Sequence, residues 1–139
     1  MPNKPPLFQH NFRVRYAETD RMGVSYYANY FVWFEMGRAE YLRALGICYT
    51  DYEKKGIFLP AVEASCRYLR SSTYDDLLTI QVAVSHFGKS SMKFVYRVLK
   101  DGEKIAEGHT VHAFVDKTPK PVRIPPEILE KIPVQELPV

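Results

Sequence analysis

From His10 to Tyr16 the chain alternates Phe12, Val14 and Tyr16 with Asn11, Arg13 and Arg15, the two-residue period of a half-buried first strand. Glu18-Thr19-Asp20 and Gly23 then break any regular period and supply turn and capping residues, which predicts a loop from Ala17 to Ser25. The stretch from about Ala28 to Leu45 lacks proline and ends before Gly46, a natural helix stop, so it predicts a helix of about five turns. Tyr30 to Phe34 is apolar on every face, which requires cover on all sides. Gly37 in mid-helix sacrifices about 1 kcal/mol of propensity relative to alanine and marks a close backbone approach.

A short helix is expected near Tyr49 to Lys55 and a strand from Pro60 to about Arg70. Leu78, Ile80, Val82 and Val84 alternate with Thr79, Gln81, Ala83 and Ser85; Met92, Phe94, Tyr96 and Val98 repeat the pattern, giving two strands with one apolar face each. Asp101-Gly102 before Ile105 to Val115 is a tight-hairpin signal. Prolines between 119 and 126 end the sheet, and a short helix near Glu127 to Lys131 precedes a tail expected to be mobile, as are residues 1–8. One strand, a long helix and four strands in a meander make an α+β arrangement in which a curved antiparallel sheet covers an all-round apolar helix. Apolar residues on both strand faces suggest a second subunit, with Tyr96 and Phe114 as candidates for higher assembly.

A length of 139 residues suits a single domain with a core at about 9–125. A net charge of +3 with dispersed Lys and Arg gives no nucleic-acid signature, and suits an anionic small ligand only weakly. Cys48 and Cys66 form no CxxC pair or disulfide framework, which fits a reducing cytoplasm. No basic flank with an apolar run opens the chain, and no run is long enough to cross a bilayer, so neither secretion nor a membrane is expected. His86, His109 and His112 have no ligand spacing with the cysteines, and no metal is expected.

The densest chemistry lies from Tyr16 to Tyr30, where a carboxylate, a glycine turn and a helix start share one loop. A helix N-terminus offers unpaired N–H groups that polarise a thioester oxygen and stabilise its oxyanion. Asp20 would attack the carbonyl or activate water. Spacing alone leaves open the bland reading, in which Glu18 or Asp20 merely caps the helix. Glu18 is expected to be structural, and the direction of Glu63 on the second strand is open.

Asp20 with Gly23 three residues on, Tyr27-Ala28-Asn29-Tyr30 at the helix start, Tyr74-Asp75-Asp76-Leu77-Leu78-Thr79-Ile80 and Lys89-Ser90 together resemble the hotdog-fold thioesterases of the 4-hydroxybenzoyl-CoA thioesterase and YbgC-like group. The resemblance spans about residues 9 to 125. It implies a hotdog fold, an acyl-CoA thioesterase acting on a short aliphatic or aromatic acyl group, and Asp20 as nucleophile or general base. It implies the Tyr27 backbone N–H as an oxyanion contact, with Gly23, Tyr26, Lys89 and Ser90 on the substrate. The site would lie between subunits of a homodimer or homotetramer, with coenzyme A as part of the substrate and no added cofactor. Many YbgC-like members carry His where this chain has Tyr27, so a histidine acid/base is not expected. An acyl-carrier-protein thioesterase and a non-catalytic acyl-CoA-binding domain are the alternatives; loss of the carboxylate at position 20 would mark the latter.

Overall fold

A computed structural model describes residues 5–138, so part of each expected mobile terminus, residues 1–4 and 139, lies outside the described residues. The elements follow the order β1 (Phe8–Arg13), α1 (Asn29–Ala44), α2 (Tyr49–Lys54), β2 (Ala61–Tyr68), β3 (Leu77–Phe87), β4 (Ser91–Lys100), β5 (Glu103–Ala113) and α3 (Pro126–Lys131). The alternating residues of β3 and β4 behave as their period predicts. Leu78, Ile80, Val82, Val84, Met92, Phe94, Tyr96 and Val98 all turn inward and are buried. Asp101 and Gly102 both adopt positive φ, the conformation required at the β4–β5 hairpin.

All five strands form one antiparallel sheet in the order β1-β3-β4-β5-β2. The expected four-strand meander is therefore reduced to β3-β4-β5. One edge of β3 is taken by β1, from Phe8 opposite Val82 to Arg13 opposite Leu77. The other is taken by β4, so β2 crosses to the far side and pairs with β5. Gly108 makes that pairing possible: a Cβ there would collide with the Ser65 carbonyl oxygen and come within 2.7 Å of the Phe34 ring.

The long helix α1 lies on the inner face of the sheet. Gly37 lets it approach, since a Cβ at this position would stand 2.9 Å from Ile80 Cδ1, and the Phe34 ring stacks on Tyr96 at 4.3 Å. Tyr30, Trp33 and Phe34 are buried, whereas Val32, expected to be covered, is 48% exposed on the side of the helix facing away from the sheet. Tyr96 and Phe114, expected to support higher assembly, are 1% and 0% exposed and belong to the chain's own core. A five-stranded sheet curves over one side of a helix and leaves the other side open.

Two further differences matter. Tyr16 does not extend β1; the chain turns into a short 3-10 segment over Tyr16–Glu18, because the Glu18 carboxylate captures the Arg15 N–H. The C-terminal stretch is seated on the sheet where a mobile tail was expected. Ile128 and Ile132 are buried, Val134 bridges Val84 beyond the end of β1, and the Gln135 N–H donates to the Val84 carbonyl at 3.0 Å. Among the described residues no helix is long and apolar enough to cross a membrane.

Candidate active site

Asp20 sits at the head of a tight reverse turn. Its N–H donates to the Val24 carbonyl (2.8 Å), its carbonyl accepts from the Gly23 N–H (3.0 Å), and Thr19 bridges Ser25 across the turn. Gly23 has φ +82°, a conformation that glycine adopts without strain. The Asp20 Oδ1 accepts from the Met22 N–H at 2.8 Å, which fixes the carboxylate on its own turn, while Oδ2 has no partner among the described residues. Thr73 braces this turn from below through its hydroxyl, which donates to the Gly23 carbonyl at 2.8 Å.

Neither acid caps α1, whose N-cap position, Ala28, has no side-chain cap among the described residues; the Glu18 carboxylate closes the short 3-10 segment on the Arg15 N–H. Glu18 is instead a buried strut, 5% exposed. Its carboxylate accepts from the Arg15 N–H (2.8 Å), the Trp33 indole N–H (2.9 Å) and the Arg15 guanidinium (3.3 Å). Burial pushes its pKa up, but these donors outweigh it and hold the group below its ordinary 4.5. The Glu18 carbonyl accepts from the Tyr26 N–H and the Asn29 amide, each at 2.8 Å, so one residue joins the Asp20 turn to the first turn of α1.

At that first turn the Tyr27 and Ala28 N–H groups have no acceptor among the described residues, as expected where a helix begins. Tyr68, from the far strand β2, donates its hydroxyl to the Tyr27 carbonyl at 2.9 Å. Beneath lies a buried hydroxyl cluster in which Ser72 Oγ meets Ser25 Oγ (2.7 Å) and the Tyr30 hydroxyl (3.0 Å). Asp20, Arg21, Gly23, Tyr26, Asn29, Tyr16 and Tyr74 line an open groove of about 900 Å³. Interaction with Tyr27 first, and the Asp20 charge last, raise the Tyr26 phenol above its ordinary 10, which leaves it a donor at neutral pH.

Asp20, Gly23, Tyr26 and Tyr27 are thus brought together, and Lys89 and Ser90 are not. The last two occupy the β3–β4 turn, with Lys89 exposed and the Ser90 carbonyl held by the Phe114 N–H at 2.8 Å. The Asp20 turn is tied to Thr73, just before β3 begins, so the eleven residues of β3 separate the two groups by roughly 34 Å at about 3.4 Å per residue. Glu63 meets His109 Nε2 at 2.5 Å on the β2–β5 pair, away from the groove. Among the described residues no group of three or more His, Cys, Asp or Glu is placed to hold a metal ion.

Sequence reasoning did not find Tyr68, Ser72, Thr73 or Asn29. The first three reach the loop from 40 or more positions away, and no local period marks a hydroxyl that acts at such range. Asn29 was visible in the motif, and its amide bond to a carbonyl eleven residues back was not.

The model of the thioesterase-like superfamily matches residues 14–132. The acyl-CoA thioesterase YbgC of Haemophilus influenzae is 31% identical over 123 residues, covering 87% of this chain and 90% of that protein. The crystal structure of DHNA-CoA thioesterase from Staphylococcus aureus superposes with a TM-score of 0.86 at 32% identity, over 90% of this chain and 87% of that one. A hypothetical protein from Aquifex aeolicus superposes with a TM-score of 0.86 at 32% identity, over 91% of this chain and 99% of that one.

Proposed function

The chain belongs to the thioesterase-like superfamily and has the hotdog fold of its solved relatives, and from this premise we propose that it hydrolyses an acyl-CoA thioester at Asp20. The observation that carries the reading is a half-buried carboxylate, with one oxygen unpartnered among the described residues, in a groove also lined by Tyr26 and Asn29, which flank the Tyr27 and Ala28 N–H groups that have no described acceptor. The thioester oxygen takes hydrogen bonds from the Tyr27 and Ala28 N–H groups, which strengthen as negative charge develops on it. Asp20 either adds to the acyl carbon or removes a proton from the water that does. In the first route loss of the CoA thiolate, which takes a proton, leaves an Asp20–acyl anhydride that water then hydrolyses to the free acid and the Asp20 carboxylate. In the second the water oxygen adds to the acyl carbon, the C–S bond breaks as the sulfur takes a proton, and the free acid leaves directly. No added cofactor takes part.

Lys89 and Ser90 serve the CoA phosphates of a site that a second subunit completes, since the length of β3 keeps them from Asp20 in their own chain. The edge of β2 not paired to β5, with Val62 63% exposed, is the surface that favours a homodimer; a tetramer built from two dimers and a cytoplasmic setting belong to the same proposal. The test is thiol release from a panel of short aliphatic and aromatic acyl-CoAs. Asp20→Asn retains the acceptor for the Met22 N–H and removes the charge, so kcat falls at least about a hundredfold, near 3 kcal/mol of barrier. Equal turnover by both proteins, or none by either, discards the mechanism.

A further inference from the structure

Away from the Asp20 groove, a second cavity of about 270 Å³ opens between α1 and the sheet, lined by Glu35, Arg38, Ala39, Leu42, Tyr49, Leu59, Phe94 and His112. Arg38 lies nine residues into α1, about 14 Å along the helix from its start at 1.5 Å per residue. The lining is largely apolar, and into it projects a half-buried guanidinium that forms no ion pair with any described carboxylate. Leaving an arginine head partly out of water without an anion is costly unless something else complements it.

The hydrogen bonds around Arg38 have a direction. His112 Nδ1 faces the Leu59 carbonyl at 3.0 Å, so that nitrogen carries the proton, and Nε2 of the neutral ring accepts from Thr110 Oγ1 at 3.0 Å. The Thr110 hydroxyl in turn accepts from the Tyr96 hydroxyl at 2.6 Å, and Tyr96 accepts from Arg38 Nη1 at 2.9 Å. The chain ends at Arg38, whose charge also stands 5.8 Å over the Phe94 ring. Among the described residues one of five guanidinium donors is used, and the network fixes the group without neutralising it. The walls are fixed as well, because the Leu59 N–H donates to the Tyr49 hydroxyl at 3.0 Å. An apolar, preformed cavity with one oriented cation matches a small apolar molecule bearing one carboxylate.

We propose that this cavity binds the carboxylate of a small apolar acid through Arg38. The proposal does not rest on the thioesterase reading, because its test uses equilibrium binding with no thioester present. Glu35 lines the same cavity and would oppose an anion; it is exposed at the cavity mouth, one helical turn before Arg38. Sodium benzoate and benzamide, titrated calorimetrically into the full chain at neutral pH, differ only in the charged head. Benzoate is expected to bind once per chain and at least tenfold more tightly than benzamide. Arg38→Gln removes that preference, Glu35→Gln maintains or tightens benzoate binding, and Ala39→Trp, at an exposed helix position, fills the cavity and abolishes it. Equal affinity for the two probes overturns the proposal, as does benzoate binding that survives Ala39→Trp or is lost in Glu35→Gln. These last two variants decide the matter even if Arg38→Gln does not fold.

Discussion

Replacing Glu18 with alanine should loosen the protein at its candidate active loop and do so in a pH-dependent way. The Trp33 indole N–H is buried, and losing its acceptor leaves a donor without a partner, at a cost of about 1–3 kcal/mol. The Arg15 N–H also loses its acceptor, but Arg15 is exposed and water replaces most of that bond, adding about 0.5–1 kcal/mol. Removing a buried carboxylate recovers part of its desolvation penalty, so the net loss at pH 7 is about 2–3 kcal/mol. Urea unfolding should show a lower midpoint with an unchanged slope. The sign with pH follows from the depressed pKa of Glu18: its contribution is fully present above 4.5 and disappears as pH falls through the lower folded value. The gap between wild type and Glu18→Ala should therefore narrow in acid below pH 4.5. A gap under about 1 kcal/mol at pH 7, or one that does not change with pH, would refute the strut.

Gly108→Ala should cost about 2 kcal/mol or more and lower the melting temperature, because the added methyl meets the Ser65 backbone and the Phe34 ring; a thermal melt within a degree of wild type would contradict the close approach. Lys89→Ala should raise KM for acyl-CoA several-fold at unchanged kcat and leave hydrolysis of a truncated thioester without phosphates unaffected; an equal effect on both substrates would remove Lys89 from phosphate binding. His112 should titrate below its ordinary 6.5, because burial and then the Arg38 charge outweigh the help from the Leu59 carbonyl. Below 6.5 the unfolded chain binds a proton that the folded His112 does not, so stability falls as pH drops from 6.5 towards the lower folded value; an imidazole midpoint by NMR at or above 6.5 would contradict this.

The elements were largely legible because their patterns are local: two-residue alternation located β3 and β4, and the run from Ala28 to Leu45 located α1 within a residue at either end. The position of β2 was not legible. It follows from both edges of β3 being taken and from Gly108 admitting Ser65, which are facts about strands 40 residues apart. The seat of the C-terminal stretch was hidden for a similar reason, since Val134 fills the edge of β3 that a six-residue β1 leaves open. At the candidate site, the motif located Asp20, Gly23 and Tyr27 correctly in one loop. Charge and spacing could not show whether Asp20 caps the helix or its own turn. The N-cap position at Ala28 and the hydrogen bond to the Met22 N–H distinguish them.

The residues that carry the motif and those that hold it in place are different sets. Asp20 lines the groove and Tyr27 is exposed between two of its lining residues, Tyr26 and Asn29, and each gains little from its own burial. Their relative position comes from Glu18, which bonds to the helix start through its carbonyl and to Trp33 through its carboxylate. It comes also from Thr73 under the Gly23 turn and from Tyr68 on the Tyr27 carbonyl. A reaction that stabilises charge on a carbonyl oxygen needs its donors fixed before the charge appears, because reorganising dipoles during the step would consume the gain. The buried contact among Ser25, Ser72 and Tyr30 joins the end of the loop to the segment before β3 and to α1. The chemistry proposed for the loop therefore rests on core residues that no inspection of the loop alone would include.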